Sequence, residues 1–362
     1  MLNRVFIDNY KCYVNFEIEV DTINLLFGDN GAGKSTLFEV LLKIQGLVSR
    51  SREVSDLFSV EDLTRWQKAT TQRFELEVDG NGGAYKYELE IEYELPRARM
   101  RILQEKLWFD QQLLINFVKG EAQLYRDDFS QGPLYPFDWN RSAIGALPER
   151  SDNTKLTWFK ERLKKLIIVK INPMQMVSES NQEPEYLDSQ CQNFVEWYIH
   201  VLSQNQGIVF QIANDLKEII DGFRYFGFEK VGENRQLLKV QIANFQYRFH
   251  ELSDGQRTLI VLYSLLRFAQ DQDYTLCIDE PENFVSLPEI QPWLSLLYDL
   301  CIDEKLQSIL ISHHPEYINY LANSVGLWFE RRQNAPVRIK PISDRDNGLN
   351  IAELVARGWL NE

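Results

Sequence analysis

With 362 residues and 44% hydrophobic content, the chain can build one large domain or two of ordinary size around a sizeable core. Its net charge of −14 at pH 7 works against a subunit that grips nucleic acid along the backbone, because such binding draws its affinity from neutralised phosphates. No apolar run reaches the ~18 residues of a membrane span, and the four cysteines and four histidines show neither a CxxC pair nor metal-ligand spacing.

The chain opens without a basic-then-apolar leader, so a cytoplasmic, reduced setting and no membrane partner are expected. Residues 5–7, 12–20 and the apolar run 23–27 read as strands, and 35–44 as a helix with apolar residues at helical spacing. From about residue 49 the pattern changes. Segments 74–78, 85–95 and 102–109 alternate in part, with an Asn-Gly-Gly turn at 81–83, and predict an antiparallel β lobe continuing through 113–125. The proline- and aromatic-rich stretch 132–140 reads as a loop, 157–166 as a helix, and 167–171 as a strand ended by Asn172-Pro173. Residues 191–220 read as largely helical and 236–249 as strands. The last third alternates helix 258–269, strand 274–278, helix 290–300, strand 308–311 and helix 315–322, which predicts parallel βα units. No internal repeat or long heptad run is present, which excludes a long coiled coil. The basic spots Arg97, Arg99 and Arg101, and the run 160–165, read as solvated faces.

Four motifs carry chemistry. Gly28-Asp29-Asn30-Gly31-Ala32-Gly33-Lys34-Ser35 is a full G-x-x-x-x-G-K-S, followed by Thr36 and set between a predicted strand and helix. Gly28, Gly31 and Gly33 let the backbone turn tightly enough for its N–H groups, Asn30 included, to face phosphates. The helix that begins at Ser35 and Thr36 adds its positive end. Lys34 is expected to reach the β- and γ-phosphates of ATP and the Ser35 hydroxyl to ligate Mg²⁺. In the second motif the apolar strand of residues 275–278 delivers Asp279 and Glu280 to a sheet edge. There Asp279 would hold Mg²⁺ and Glu280 would polarise the attacking water. The third is Leu252-Ser253-Asp254-Gly255-Gln256-Arg257, in which Ser253 caps the next helix and offers an anion site together with Gly255 and Gln256. The fourth is a strand ending in Ser312-His313-His314-Pro315.

In this order and spacing the motifs resemble those of ABC ATPases. Residues 252–257 are similar to the LSGGQ-type signature with Asp254 in place of one glycine, and Ser253 precedes Asp279 by 26 residues. The resemblance makes His313 the switch histidine that contacts the γ-phosphate, with His314 as the alternative, and places a D-loop at 281–287. It spans residues 1–48 and 235–330 and points to the RecF/Rad50/SMC/OLD branch, most closely to compact bacterial AAA-family proteins. The implied fold is α/β, a P-loop NTPase of ABC type with a mixed sheet, an antiparallel β lobe and an inserted β/helical middle region. The implied head is 1–48 plus 235–362, with 49–234 reading out its state to a partner.

What the resemblance implies for function is ATP hydrolysis in a homodimer or higher homo-oligomer, in which Ser253 and Gly255 cover the γ-phosphate bound by a second copy. Many such relatives are ATPase subunits of anti-phage defence systems with a nuclease effector. About 30 residues follow the last ATPase element here, too few for a fused Toprim nuclease, so a separate effector is expected. A RecF-like DNA clamp is the rival reading, which the net charge does not support. A transporter ATPase is disfavoured because Lys34 and Ser253 lie 219 residues apart, and a standalone nuclease by the lack of a spare acidic metal cluster. For the Q-loop glutamine, Gln45, Gln72 and Gln111 all stand open; Tyr10 and Lys11 are candidates for holding adenine.

Overall fold

The computed structural model describes residues 1–97, 99–180, 186–231, 235–340 and 353. In chain order the strands are β1 (Leu2–Asp8), β2 (Phe16–Glu19), β3 (Ile23–Gly28), β4 (Thr71–Gly80), β5 (Gly83–Glu94), β6 (Arg99–Phe109), β7 (Gln112–Val118), β8 (Glu121–Tyr125), β9 (Gln131–Pro136), β10 (Leu166–Val169), β11 (Glu179–Ser180), β12 (Phe223–Val231), β13 (Arg235–Ile242), β14 (Phe245–Arg248), β15 (Thr275–Asp279), β16 (Gln307–Ile311), β17 (Gly326–Glu330) and β18 (Arg338–Lys340). The helices are α1 (Lys34–Ser49), α2 (Val54–Leu57), α3 (Ala143–Ala146), α4 (Thr154–Lys164), α5 (Phe194–Gln204), α6 (Gln206–Ile219), α7 (Asp254–Ala269), α8 (Leu287–Ile302) and α9 (Pro315–Val325). Two compact units result, one of Met1–Leu166 with Pro315–Glu362 and one of Ile167–His314. Of the expected head segment 235–362, residues 341–352 and 354–362 lie outside the described residues.

The first unit contains an antiparallel sheet in the order β2-β1-β4-β5-β6-β7-β8-β9. Its centre follows from period-two alternation: Tyr85, Tyr87, Leu89, Ile91 and Tyr93 of β5 are all buried, with Tyr87 opposite Leu76 on one side and Leu107 on the other. Asn81 and Gly82, both at positive φ (52° and 80°), close the β4–β5 hairpin as an Asn-Gly turn must. Helix α4 lays Phe159 against Tyr87, with ring centroids 5.5 Å apart. Glu105, fully buried on β6, accepts from Tyr87 Oη (2.9 Å), Ser142 Oγ (2.6 Å) and Ala143 N (2.7 Å). Burial pushes this carboxyl up against those hydrogen bonds. In the same unit β3 and β17 pair in parallel, β18 pairs antiparallel to β17, and α9 packs on β3.

The second unit places β10, β15 and β16 side by side, with β15 and β16 parallel and Asp279 opposite Ile311. A smaller sheet runs β11-β13-β12, with β14 also paired to β13. Helix α7 is buried without a break from Thr258 to Leu266, as a helix covered on all sides must be. It is tied to α6 by the bidentate pair of Arg267 with Asp215, at 2.6 and 2.8 Å. The parallel βα alternation expected for the last third is present in α7, β15, α8 and β16.

Two sequence expectations are corrected, and one strand appears where none was expected. Residues 131–136 form β9 rather than a loop: as the edge strand of its sheet β9 tolerates Pro133 and Pro136, which need no partner for a missing N–H. Strand β2 begins only at Phe16, because Lys11 and Asn15 adopt positive φ (44° and 45°) and the chain turns between them. Strand β12 was not anticipated. Its aromatic residues fall on neighbouring positions, Tyr225 and Phe226, and a register shift between Phe223 and Tyr225 breaks the alternation that would reveal it.

Candidate functional site

The glycine loop joins β3 to α1 in the first unit. Gly28 has φ 142°, and a Cβ there would stand 2.3 Å from the carbonyl oxygen of Phe329 on the paired strand β17. Gly33, at φ 99°, leaves only 2.8 Å between such a Cβ and Cys12 Sγ. Neither position admits a side chain. Gly33 is also the N-cap of α1, and no side chain caps that helix or places an acid in its first turn. Neither a capping side chain nor a first-turn acid therefore competes with an anion at this end of α1. Asp29, Asn30, Gly31 and Ser35 are exposed on the open side of the loop, while Thr36 is half-buried and its Oγ1 accepts from Cys12 Sγ at 3.8 Å.

Lys34 is buried, and its Nζ donates to Gly28 O (2.8 Å) and Asp29 O (2.9 Å), so the ammonium is held across the mouth of its own loop. Two residues that no motif indicated brace the loop from outside. Tyr13 Oη donates to Gly33 O at 2.6 Å, and Arg331 Nη1 donates to Gly31 O at 3.1 Å while its guanidinium lies 5.3 Å from the Trp66 ring. Arg331 is 300 residues from Gly31, so only the fold could reveal the contact.

The second unit gathers the other predicted residues. Asp279 ends the fully buried strand β15 and is itself buried. Glu280 follows at φ 54°, a left-handed conformation costly for a residue with a side chain, and its N–H is fixed to Ile311 O at 2.8 Å. Its carboxylate accepts from Lys170 Nζ (2.6 Å) and Asn283 Nδ2 (3.0 Å), both at Oε2. Burial pushes the Glu280 carboxyl up, but Lys170, Asn283 and the charge of the exposed His313 together hold it below the ordinary value. His314 acts instead on Glu282, whose carboxyl burial pushes up. Ser312 Oγ donates to Glu282 Oε1 (2.6 Å) and accepts from His314 N (3.0 Å), tying the histidine segment to the turn behind Glu280.

Ser253 is the N-cap of α7 in a capping box: its Oγ accepts from Gln256 N (3.2 Å), and Gln256 Oε1 accepts from Ser253 N (3.1 Å). Asp254, the departure from the LSGGQ pattern, pairs with Arg257 at 2.5 Å, and Arg257 also donates to Pro173 O. Gly255 is required by packing, since a Cβ there would lie 2.7 Å from Phe284 O in the turn behind Glu280. Gly255→Ala is therefore expected to destabilise the fold by about 1–3 kcal/mol and to lower ATP turnover more than ATP binding. A thermal melt and a steady-state assay on the same sample check this.

The three glutamines left open for the Q-loop are now located. Gln45 is buried and donates to Leu163 O (2.9 Å) and Leu166 O (2.7 Å). Gln72, also buried, donates to Asn9 O and Asp62 O and accepts from Tyr93 Oη. Gln111 lies in the β6–β7 turn at φ 68°. Of the adenine candidates, Tyr10 is buried with its hydroxyl on Glu39 (2.8 Å), and Lys11 pairs with the same carboxylate at 2.5 Å. Lys170 and Asn283 were missed as partners of Glu280; Lys170 lies 110 residues before it and carries no motif.

Among the described residues no helix is long and apolar enough to cross a membrane, and no group of three or more His, Cys, Asp or Glu gathers to hold a metal. The AAA ATPase domain family matches residues 1–93. No curated protein matches. Among solved structures the chain is similar to an SMC head bound to the C-winged helix domain of ScpA, at 11% identity and TM-score 0.58, covering 95% of this chain and 98% of that one. It is also similar to an SMC head with an extended coiled coil bound to the C-terminal domain of ScpA derived from Pyrococcus furiosus, at 10% identity and TM-score 0.55, covering 99% and 98%. The match to the AAA ATPase domain is confined to the segment that carries the glycine loop, and the likeness to SMC heads across the chain shows that the protein has their fold.

Proposed function

We propose that the protein is a nucleotide-driven dimerisation switch, in which each ATP is held by one subunit's glycine loop and covered by the signature helix of a second copy. Gly28, Asn30, Gly31 and Gly33 supply backbone N–H groups to the phosphates, with Ser35 and Thr36 at the first turn of α1. Lys34 exchanges its loop carbonyls for β- and γ-phosphate oxygens. Ser35 and Asp279 are the residues that would hold Mg²⁺, consistent with an ion that takes few protein ligands and completes its shell with phosphate and water. Bound there, Mg²⁺ supplies charge neutralisation at the phosphate oxygens. Glu280 takes a proton from the attacking water, and His313 contacts the γ-phosphate. Ser253, Gly255 and Gln256 meet the γ-phosphate of the other subunit.

The observation that carries this reading is the N-terminus of α7. Ser253 is exposed there, and Gly255 rests against Phe284 O in the turn behind Glu280. A phosphate arriving at Ser253 from a second copy is thereby felt at the general base of the same chain. Residues 1–48 and 235–362 act as the head and 49–234 as the region that reports its state. The partner is a separate effector protein in anti-phage defence, by analogy with relatives of the sequence motifs. SMC heads solved with a bound ScpA domain support docking of a partner protein on this fold.

Mixing two inactive variants tests the shared site. Lys34→Ala breaks the glycine loop and Ser253→Arg breaks the signature, so each alone is expected to be inactive. Their mixture contains one intact site per mixed dimer and should recover a measurable share of wild-type turnover. A mixture as inactive as its parts would mean that the signature does not act across subunits.

A further inference from the structure

We propose that Lys170 is a positioning residue for hydrolysis: it holds the Glu280 carboxylate by one oxygen so that the other is presented to the attacking water. This rests on the assignment of Glu280 as general base.

The geometry has three parts. First, the Lys170 ammonium stands 2.6 Å from Glu280 Oε2 and 3.9 Å from Asp279 Oδ2, between the two carboxylates on which the reaction depends. Second, Asn283 Nδ2 donates to the same oxygen at 3.0 Å, so among the described residues both donors fall on Oε2 and Oε1 is left for water. Third, the Lys170 backbone is itself fixed, at the end of β10, by donation from its N–H to Ser189 O at 2.7 Å. Asn283 belongs to the same turn as Glu280 and moves with it. Lys170 follows β10, a different strand from the β15 that leads into Glu280, and ties that turn to it.

Magnitude separates this role from a structural one. The Lys170 side chain is 54% exposed, and ion pairs at that exposure contribute little to folding. Orientation at a reacting centre is a different matter, where a displacement of about 1 Å costs on the order of 10²-fold in rate. The pair should therefore be nearly silent in stability and loud in turnover.

The test is steady-state ATP hydrolysis by the full chain carrying Lys170→Met, Lys170→Arg, Glu280→Gln, or Lys170→Met with Glu280→Gln. Lys170→Met is expected to lower kcat about 10- to 100-fold with KM for ATP and the melting temperature unchanged. Lys170→Arg should restore most of the rate, because a guanidinium can make the same contact. In the Glu280→Gln background Lys170→Met should cost nothing further, since two residues acting through one group are not additive. Wild-type or faster turnover in Lys170→Met, beside an inactive Glu280→Gln, would overturn the inference while leaving the general base in place; faster turnover would make the contact a restraint instead. Full activity in Glu280→Gln would remove the base assignment and this inference with it.

Discussion

Glu280→Gln protein is expected to bind MgATP as tightly as the native chain and to hydrolyse it about 10²–10⁴-fold more slowly, the usual contribution of a general base. Each factor of ten corresponds to about 1.4 kcal/mol of barrier, so the loss is about 3–5 kcal/mol. The substitution keeps the shape of the side chain, and an amide oxygen can still accept from Lys170 and Asn283. What it removes is basicity at a site where the backbone is held left-handed and the N–H is fixed to Ile311 O. Folding should hardly change, because the lost pair with Lys170 is partly exposed. Equilibrium binding of ATP alongside a turnover assay separates the two effects. Residual turnover above one tenth of wild type would place the base elsewhere.

Lys34→Ala should fail one step earlier. The ammonium is buried and bonded to Gly28 O and Asp29 O, and it must turn from them to meet the phosphates of a nucleotide. A hydrogen bond to a charged group contributes about 1.5–3 kcal/mol, so the affinity for ATP is expected to fall at least about 10-fold, and about 10²-fold if the contact is at the upper end. Loss of two donors inside the loop also lowers stability, by about 1–3 kcal/mol. Calorimetric titration with MgATP and a thermal melt report these separately. Native affinity in this variant would show that the loop binds nucleotide without its lysine.

Local chemistry was legible wherever a motif needs neighbouring residues. The glycine loop demands small residues at Gly28 and Gly33, and the fold shows what each would strike, Phe329 O and Cys12 Sγ. The buried strand before Asp279 and the capping box at Ser253 also read directly, since both are short-range features. Strand β5 was visible because its apolar residues alternate. Strand β12 was not, because adjacent aromatics and a register shift conceal its period. Long-range partners left no trace in the sequence at all. Nothing around Lys170 marks it as the partner of Glu280, nor Arg331 as a brace on Gly31, because each pairing is created by strands brought together from distant parts of the chain. For Gln45 and Gln72, two of the three glutamines the sequence leaves open for the Q-loop, the fold adds what no motif shows: both give their amides to buried backbone carbonyls.

The switch itself is tested most directly by the solution mass of Glu280→Gln protein, measured by light scattering with and without MgATP, beside Lys34→Ala as the variant that cannot load. Trapped ATP is expected to carry the Glu280→Gln protein to twice its nucleotide-free mass, or to a further multiple of that, while Lys34→Ala stays unchanged. One constant mass for the Glu280→Gln protein, with ATP demonstrably bound, would contradict a nucleotide-driven dimerisation.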